Sequence, residues 1–407
     1  MPTEKEGRLP QSAQTAAASP TPLRDLARVF LALGTISFGG PAAHIAMMED
    51  EVVRRRRWLT REAFLDYIGA TNLIPGPNST ELAIHVGHAR AGWPGLLVAG
   101  ASFILPAAII VGCLAWGYVR YGALPSVVHA FAGVKPVVIA IVVQALWRLA
   151  RTAIRSRELL FLGIAAVAAT ALGVNELIVL AGGALAAALL YAARSDGAAV
   201  EAASLVCSGA TVSKVMRAIG ITTASSAVGG LASVGLWPLF GIFLKTGAVL
   251  FGSGYVLLAF LRADLVDRLH WITQQQLLDA VAVGQITPGP VFTTATFVGY
   301  LVAGGQGAVV ATLGIFLPAF FFVAVSGPLV PRIRKSRIAG AALDGVNVAS
   351  LALMAVVTWT LARSAVVDAV TLAVAVVGAV LLFRYRINSA WLVAGGGIVG
   401  VALASMR

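Results

Sequence analysis

The same pattern of residues occurs twice in this chain, 213 positions apart, and that duplication limits the folds open to it. Trp58-Leu59-Thr60 recurs as Trp271-Ile272-Thr273, and Asp66 recurs as Asp279. Pro75-Gly76-Pro77-x-x-Thr80 recurs as Pro288-Gly289-Pro290-x-x-Thr293, and Phe30-Leu31-x-x-Gly34-x-x-x-Phe38-Gly39 as Phe243-Leu244-x-x-Gly247-x-x-x-Phe251-Gly252. After a one-residue slip near Pro106 and Pro318, Gly133-Val134-Lys135 lies over Gly345-Val346-Asn347 and Trp147 over Trp359, and Asn175 then meets Asn388. The repeats run over 27–193 and 240–407. Residues 1–26 read as a disordered polar tail, and 194–239 as a linker whose charge-free stretch 218–239 is a candidate extra membrane segment.

Hydrophobic residues make up 58% of the chain and charged residues 12%, about half the charge of an ordinary soluble domain. Duplicated halves in so apolar a chain point to an all-α polytopic membrane protein of transporter type. Each half offers six embedded segments: 27–48, 64–90, 95–118, 127–147, 159–174 and 176–193, then 240–261, 277–300, 307–327, 341–361, 366–382 and 389–406. The net charge of +12 sits in short loops between apolar runs, which fixes membrane orientation and does not suggest nucleic acid. Cys113 and Cys207 have no metal-ligand spacing, and neither a metal nor a cofactor is expected. No GxxxxGK[ST], HExxH or GxSxG motif is present, so neither ATP-driven machinery nor an enzyme is indicated.

Equivalent loops carry opposite basic bias. Arg54, Arg55, Arg56, Arg57 and Arg61 face a counterpart holding only Arg262 and Arg268, offset by Asp264 and Asp267; Arg148, Arg151, Arg155 and Arg157 face only Arg363. The bias reverses at Arg332, Arg334, Lys335 and Arg337, whose counterpart holds only Arg120. By the positive-inside rule the two repeats are inserted upside down relative to each other. That parity makes 64–90 a re-entrant hairpin broken at Pro-Gly-Pro, and leaves open whether 27–48 spans or is also re-entrant.

Prolines flanking a glycine stop one helix and start another. Within a bilayer, such breaks survive only where they are buried in protein or line a cavity. A half-helix beginning there presents unpaired N–H groups and a partial positive charge, which suits an anion. The candidate substrate-binding residues are therefore Gly39, Gly40 and Pro41; Pro75, Gly76, Pro77, Asn78, Ser79 and Thr80; Gly252 and Ser253; and Pro288, Gly289, Pro290, Thr293 and Thr294. Lys135 and Lys245 join them, since charge at membrane depth is costly and usually functional; the competing reading is snorkelling to an interface. Glu81 and His85 share one helix face at i, i+4 and, with His44 and Glu49, are candidates for coupling or gating by proton movement. Thr60 and Thr273 read as helix N-caps, which makes Asp66 and Asp279 structural.

These residues also carry a family resemblance. Phe38-Gly39-Gly40-Pro41-x-x-His44, Glu51-x-x-Arg54 with Arg57-Trp58-Leu59, Asn72-Leu73-Ile74-Pro75-Gly76-Pro77-Asn78-Ser79-Thr80 and Phe103-Ile104-Leu105-Pro106-Ala107 closely resemble the chromate ion transporter family in its two-domain, long-chain form. Gly284-Gln285-Ile286-Thr287-Pro288-Gly289-Pro290 and Phe316-Leu317-Pro318-Ala319 resemble its C-terminal domain, although Gly252-Ser253-Gly254 lacks the proline of Gly39-Gly40-Pro41. The resemblance implies a multi-pass protein of the bacterial inner membrane that exports chromate, driven by the membrane potential or a proton gradient, with sulfate as a competing dianion. The expected partners are chromate, sulfate and the lipid bilayer, with a homodimer left open. The alternatives are a carrier of sulfate or another oxyanion, including one for uptake, and more remotely a membrane-embedded enzyme or scramblase.

Overall fold

The computed structural model describes residues 21–38, 40–193, 235–251, 256–385 and 387–405. Gly39, Gly252, Ser253 and most of the proposed linker, including 218–234, lie outside these residues. The described secondary structure is helical. In the first repeat α1 is Leu23–Ile36, α2 Pro41–Met48, α3 Arg61–Thr71, α4 Asn78–Tyr121, α5 Pro125–Ala153, α6 Arg157–Ala171 and α7 Glu176–Ala192. In the second, α8 is Leu236–Val249, α9 Leu257–Leu261, α10 Gln274–Ile286, α11 Thr294–Lys335, α12 Arg337–Ala365, α13 Ala369–Arg384 and α14 Ser389–Ser405. α1 begins at Leu23, ahead of the expected boundary at 27, because Leu26 and Phe30 are both fully buried. π-helical turns at Glu49–Arg55 and Arg262–Arg268 continue α2 and α9 at equivalent positions.

The first repeat opens with two re-entrant hairpins. Thr21, at the start of the first, accepts from Arg90 Nε at 2.8 Å, and Arg90 Nη1 also donates to the Trp58 carbonyl at 3.2 Å. The chain therefore leaves and regains one face between residues 21 and 58. This settles 27–48 as re-entrant: α1 has 14 residues, about 21 Å at 1.5 Å per residue, against an apolar core of ~30 Å. The second hairpin folds back at Pro-Gly-Pro, as expected. Tyr67 of α3 stacks on His85 of α4 at 5.2 Å between ring centroids, and Asn78 Nδ2 donates to Asn72 Oδ1 at 2.8 Å. Collinear helices would hold those rings far apart. Thr60 caps α3 by accepting from Ala63 N–H, and Thr273 caps α10 in a capping box with Gln276.

α4 and α11 each contain a further reversal. Ala91-Gly92 and Ala303-Gly304 leave helical geometry, with φ of +59° at Gly92 and +62° at Gly304. The arms on either side pack so closely that a Cβ on Gly87 or Gly299 would overlap the carbonyl of Gly95 or Gly307. Small residues permit this approach. The longer arm, 93–121, is about 40 Å long and crosses to the opposite face.

At its far end the inversion is visible. Tyr118 donates to Asp279 Oδ2 at 2.8 Å, and its ring meets Phe297 at 5.2 Å. Asp279 and Phe297 are the second repeat's equivalents of Asp66 and His85, which belong to the near end of the 93–121 arm. Corresponding elements thus occupy opposite faces, and the repeats are inverted. They also exchange partners: Gly183 of α7 packs on Gly345 and Ala349 of α12, while Gly396 of α14 packs on Gly133 and Val137 of α5. Among the described helices, four segments are long and apolar enough to cross a membrane: Asn78–Tyr121, Pro125–Ala153, Val291–Ser326 and Arg337–Ala365. Leu105 and Ile109, like their equivalents Leu317 and Phe321, point outward and more than half exposed, as a lipid-facing surface requires.

Candidate functional site

The two Pro-Gly-Pro turns and the ends of the two first helices meet in the interior through a reciprocal pair of backbone hydrogen bonds. Gly76 N–H donates to the Leu250 carbonyl at 2.8 Å, and Gly289 N–H donates to the Ser37 carbonyl at 2.9 Å. The Pro-Gly-Pro turn of each repeat is therefore tied to the end of the first helix of the other. Both glycines have positive φ, +140° and +84°, where a side chain is strained. Gly289 lies against Ala107, and a Cβ there would be 2.7 Å from the alanine methyl; Gly76 lies correspondingly near Ala319. The repeated Leu-Pro-Ala signal thus marks the surface that receives the opposite repeat's turn, a role that sequence reading did not assign.

Around this crossing the two repeats differ in chemistry. In the first, His44 is almost wholly buried, with Nδ1 3.2 Å from Ser79 Oγ and Nε2 3.2 Å from the Ser37 carbonyl. This links the tip of the first hairpin (Ser37, Gly40, Pro41 and His44) to the tip of the second (Pro75 to Thr80). Glu81 is fully buried in the first turn after the break, and its carboxyl lies where a Cβ on Gly76 would fall. Among the described residues, neither Glu81 oxygen, nor Thr80 Oγ1, Ser37 Oγ or His85 Nε2, has a hydrogen-bond partner. Native interiors normally pair such atoms, which makes this cluster the candidate site. In the second repeat, Thr293 and Thr294 turn their hydroxyls onto the carbonyls of Pro290 and Val291, at 2.8 Å each. Those hydroxyls cap their own turn.

The remaining candidates lie elsewhere. Lys135 pairs with Asp279 at 3.2 Å across the repeats, in the cluster that includes Tyr118. Lys245 pairs with Asp264, which Arg268 also holds at 2.8 Å. Both lysine charges are thus placed on carboxylates. Asp279, read from sequence as structural, is the partner of the lysine read as functional. Glu49 belongs to the ion-pair cluster of the first π-helical turn, near Arg54 and Arg61 at 3.9 and 3.7 Å.

The chromate transporter family profile matches residues 24–188 and 237–401, one match for each repeat. The chain belongs to the chromate transporter family. It is similar to a chromate transport protein of Cupriavidus metallidurans, 33% identical over 406 residues that cover 96% of this chain and 97% of that one. It is also similar to a chromate transport protein of Pseudomonas aeruginosa, 31% identical over 95% of this chain and 94% of that one. A probable chromate transport protein of Synechococcus elongatus is 31% identical over 81% of each chain. No solved structure matches.

Proposed function

We propose that this family member is a secondary transporter that exports chromate across the bacterial inner membrane. The observation that carries the reading is the reciprocal tie of Gly76 to Leu250 and of Gly289 to Ser37. It brings two oppositely inserted sets of broken helices to one place, where half-helix N-termini favour an anion from either side. On this reading Gly40, Pro41 and the 75–80 turn, with Ser79 and Thr80, form the chromate-binding half of the crossing. The 288–294 turn, whose hydroxyls are committed to its own backbone, shapes the other half. Lys135 and Lys245 hold carboxylates and act on the substrate through the fold. Glu81, with His85 and His44, is the group through which a proton enters the cycle, while Glu49 steadies the π-helical turn.

The arginine-rich face, bearing 53–61 and 148–157, is cytoplasmic on this reading. Moving a dianion outward is favoured by an inside-negative potential, about 2.3 kcal/mol per charge per 100 mV, so alternating access driven by the potential suffices, and a proton gradient can add to it. The test is energised uptake of chromate into everted membrane vesicles containing this chain, with and without excess sulfate. Accumulation that sulfate inhibits is the expected result. Well-expressed vesicles that exclude chromate but accumulate sulfate or molybdate would transfer the reading to that oxyanion.

A further inference from the structure

Two cavities flank the crossing, and part of their lining is related by the repeat. One, of about 550 Å³, is lined by Phe251, Leu73 and Leu343. The other, of about 560 Å³, is lined by their equivalents Phe38, Ile286 and Phe131. Their size is the same and their chemistry is not. The second is walled by Val134, Val283 and Trp391, and among its described lining only Asn388 and the Trp391 indole carry a polar side-chain group. The first adds Asn72, Asn78, Thr152, Arg155, Asn347 and Ser350. It opens among the last turns of α5 and the first half of α12, which is the arginine-rich face.

We propose that the cavity between the end of α5, the first half of α12 and the 72–78 turn is the loading vestibule for a tetrahedral oxyanion. Its apolar counterpart on the opposite face is the release path. The proposal rests on the oxyanion-transport reading and adds to it a loading site and a release path.

Ser350 is the first support. It is 3% exposed, its hydroxyl has no hydrogen-bond partner among the described residues, and it lines the cavity. A buried, unpaired hydroxyl is costly unless something in the cycle uses it. The amides of Asn72, Asn78 and Asn347 supply N–H donors that can replace hydration water around an oxyanion. Arg155 is exposed, with its Nε tied to the Thr152 carbonyl at 2.8 Å, so it collects anions at the mouth. Asp344 faces it across the same cavity. That carboxylate offsets the arginine and keeps the vestibule from trapping a dianion it must pass on. At the inner end, Asn78 starts the half-helix that carries Ser79, Thr80 and Glu81, so the cavity delivers directly to the crossing. The opposite cavity offers an anion almost nothing to bind, which favours departure.

The test uses the full chain with Cys113→Ser and Cys207→Ser as background, in everted vesicles that expose the cytoplasmic face. Ser350→Cys is treated with a negatively charged methanethiosulfonate. Chromate at about ten times its Kd should slow modification about tenfold by simple occupancy, and chloride should not. Ala130→Cys, on the apolar cavity near the start of α5, should react only in right-side-out vesicles and without protection. Asn347→Cys reads the same wall should the first variant fail to accumulate. Modification of both wall positions at one rate with or without chromate, sulfate or molybdate would overturn the vestibule, even where the unmodified chain accumulates chromate. Protection by sulfate or molybdate alone would uphold the vestibule and overturn chromate as its substrate.

Discussion

Glu81 has no counterpart carboxylate, because the second repeat has Thr294 at that position. It is fully buried, both oxygens lack a partner among the described residues, and it covers Gly76 in the turn that meets Leu250. On the proposed function, an anion at the crossing lies against this carboxyl. Glu81→Gln keeps the shape and removes the exchangeable proton. It is expected to abolish the added accumulation that a pH gradient gives in everted vesicles while leaving potential-driven uptake and chromate exchange within about twofold. A variant that responds to the pH gradient like the wild type would remove Glu81 from coupling. Lys135 makes a different case. Removing it alone leaves Asp279 buried without its cation, a loss of about 3–5 kcal/mol. Lys135→Ala should therefore lower the amount of folded protein in the membrane, and Lys135→Ala with Asp279→Asn should restore it. A double variant that is abundant but inactive would return Lys135 to the substrate site.

At the scale of the elements, the breaks and not the helices carry the design. Gly289 has φ of +84° and touches Ala107 of the opposite repeat. Gly289→Ala carries a conformational cost of roughly 1–2 kcal/mol, to which the clash with Ala107 adds. It should cut transport at least tenfold, about 1.4 kcal/mol in the barrier, with insertion intact; Gly289→Ala paired with Ala107→Gly should recover part of the activity, as measured by vesicle uptake at matched expression. The repeated Pro-Gly-Pro announced these turns, since two prolines around a glycine admit few other backbones. Thr60 and Thr273 were legible as caps for the same local reason. The first hairpin was not, because an apolar run interrupted at 37–40 has the same composition whether it spans or returns. Arg90 decides it, and its partners Thr21 and Trp58 are remote in sequence. Nor could helical periodicity, which reports neighbours along one helix, pair Lys135 with Asp279 or show that Ser350 lines a cavity with Asn78.

In the whole molecule, inversion turns one structural unit into two oppositely facing half-sites. The two π-helical turns show how closely the unit was copied: Arg57 and His270, at equivalent positions after them, both have positive φ, +52° and +53°. The pairing of Glu51 with Arg55 recurs as Asp264 with Arg268. The charge around them was not copied, and the excess of arginine near Arg54 and Arg155 orients the assembly by the positive-inside rule. Equivalent exposed positions must then report opposite faces. Arg54 and Asp267 are such a pair, with side chains 70% and 53% exposed. In the cysteine-free background, Arg54→Cys should react with an impermeant maleimide only in everted vesicles, and Asp267→Cys only in right-side-out vesicles. Neither change touches the crossing, so both variants should still transport. Labelling of both from one face would contradict the inversion read from the Tyr118–Asp279 contact. The reverse pattern, with Arg54→Cys outside, would keep the inversion and turn the polar vestibule toward the periplasm. The same geometry would then load anions from outside, and the chain would work as an importer.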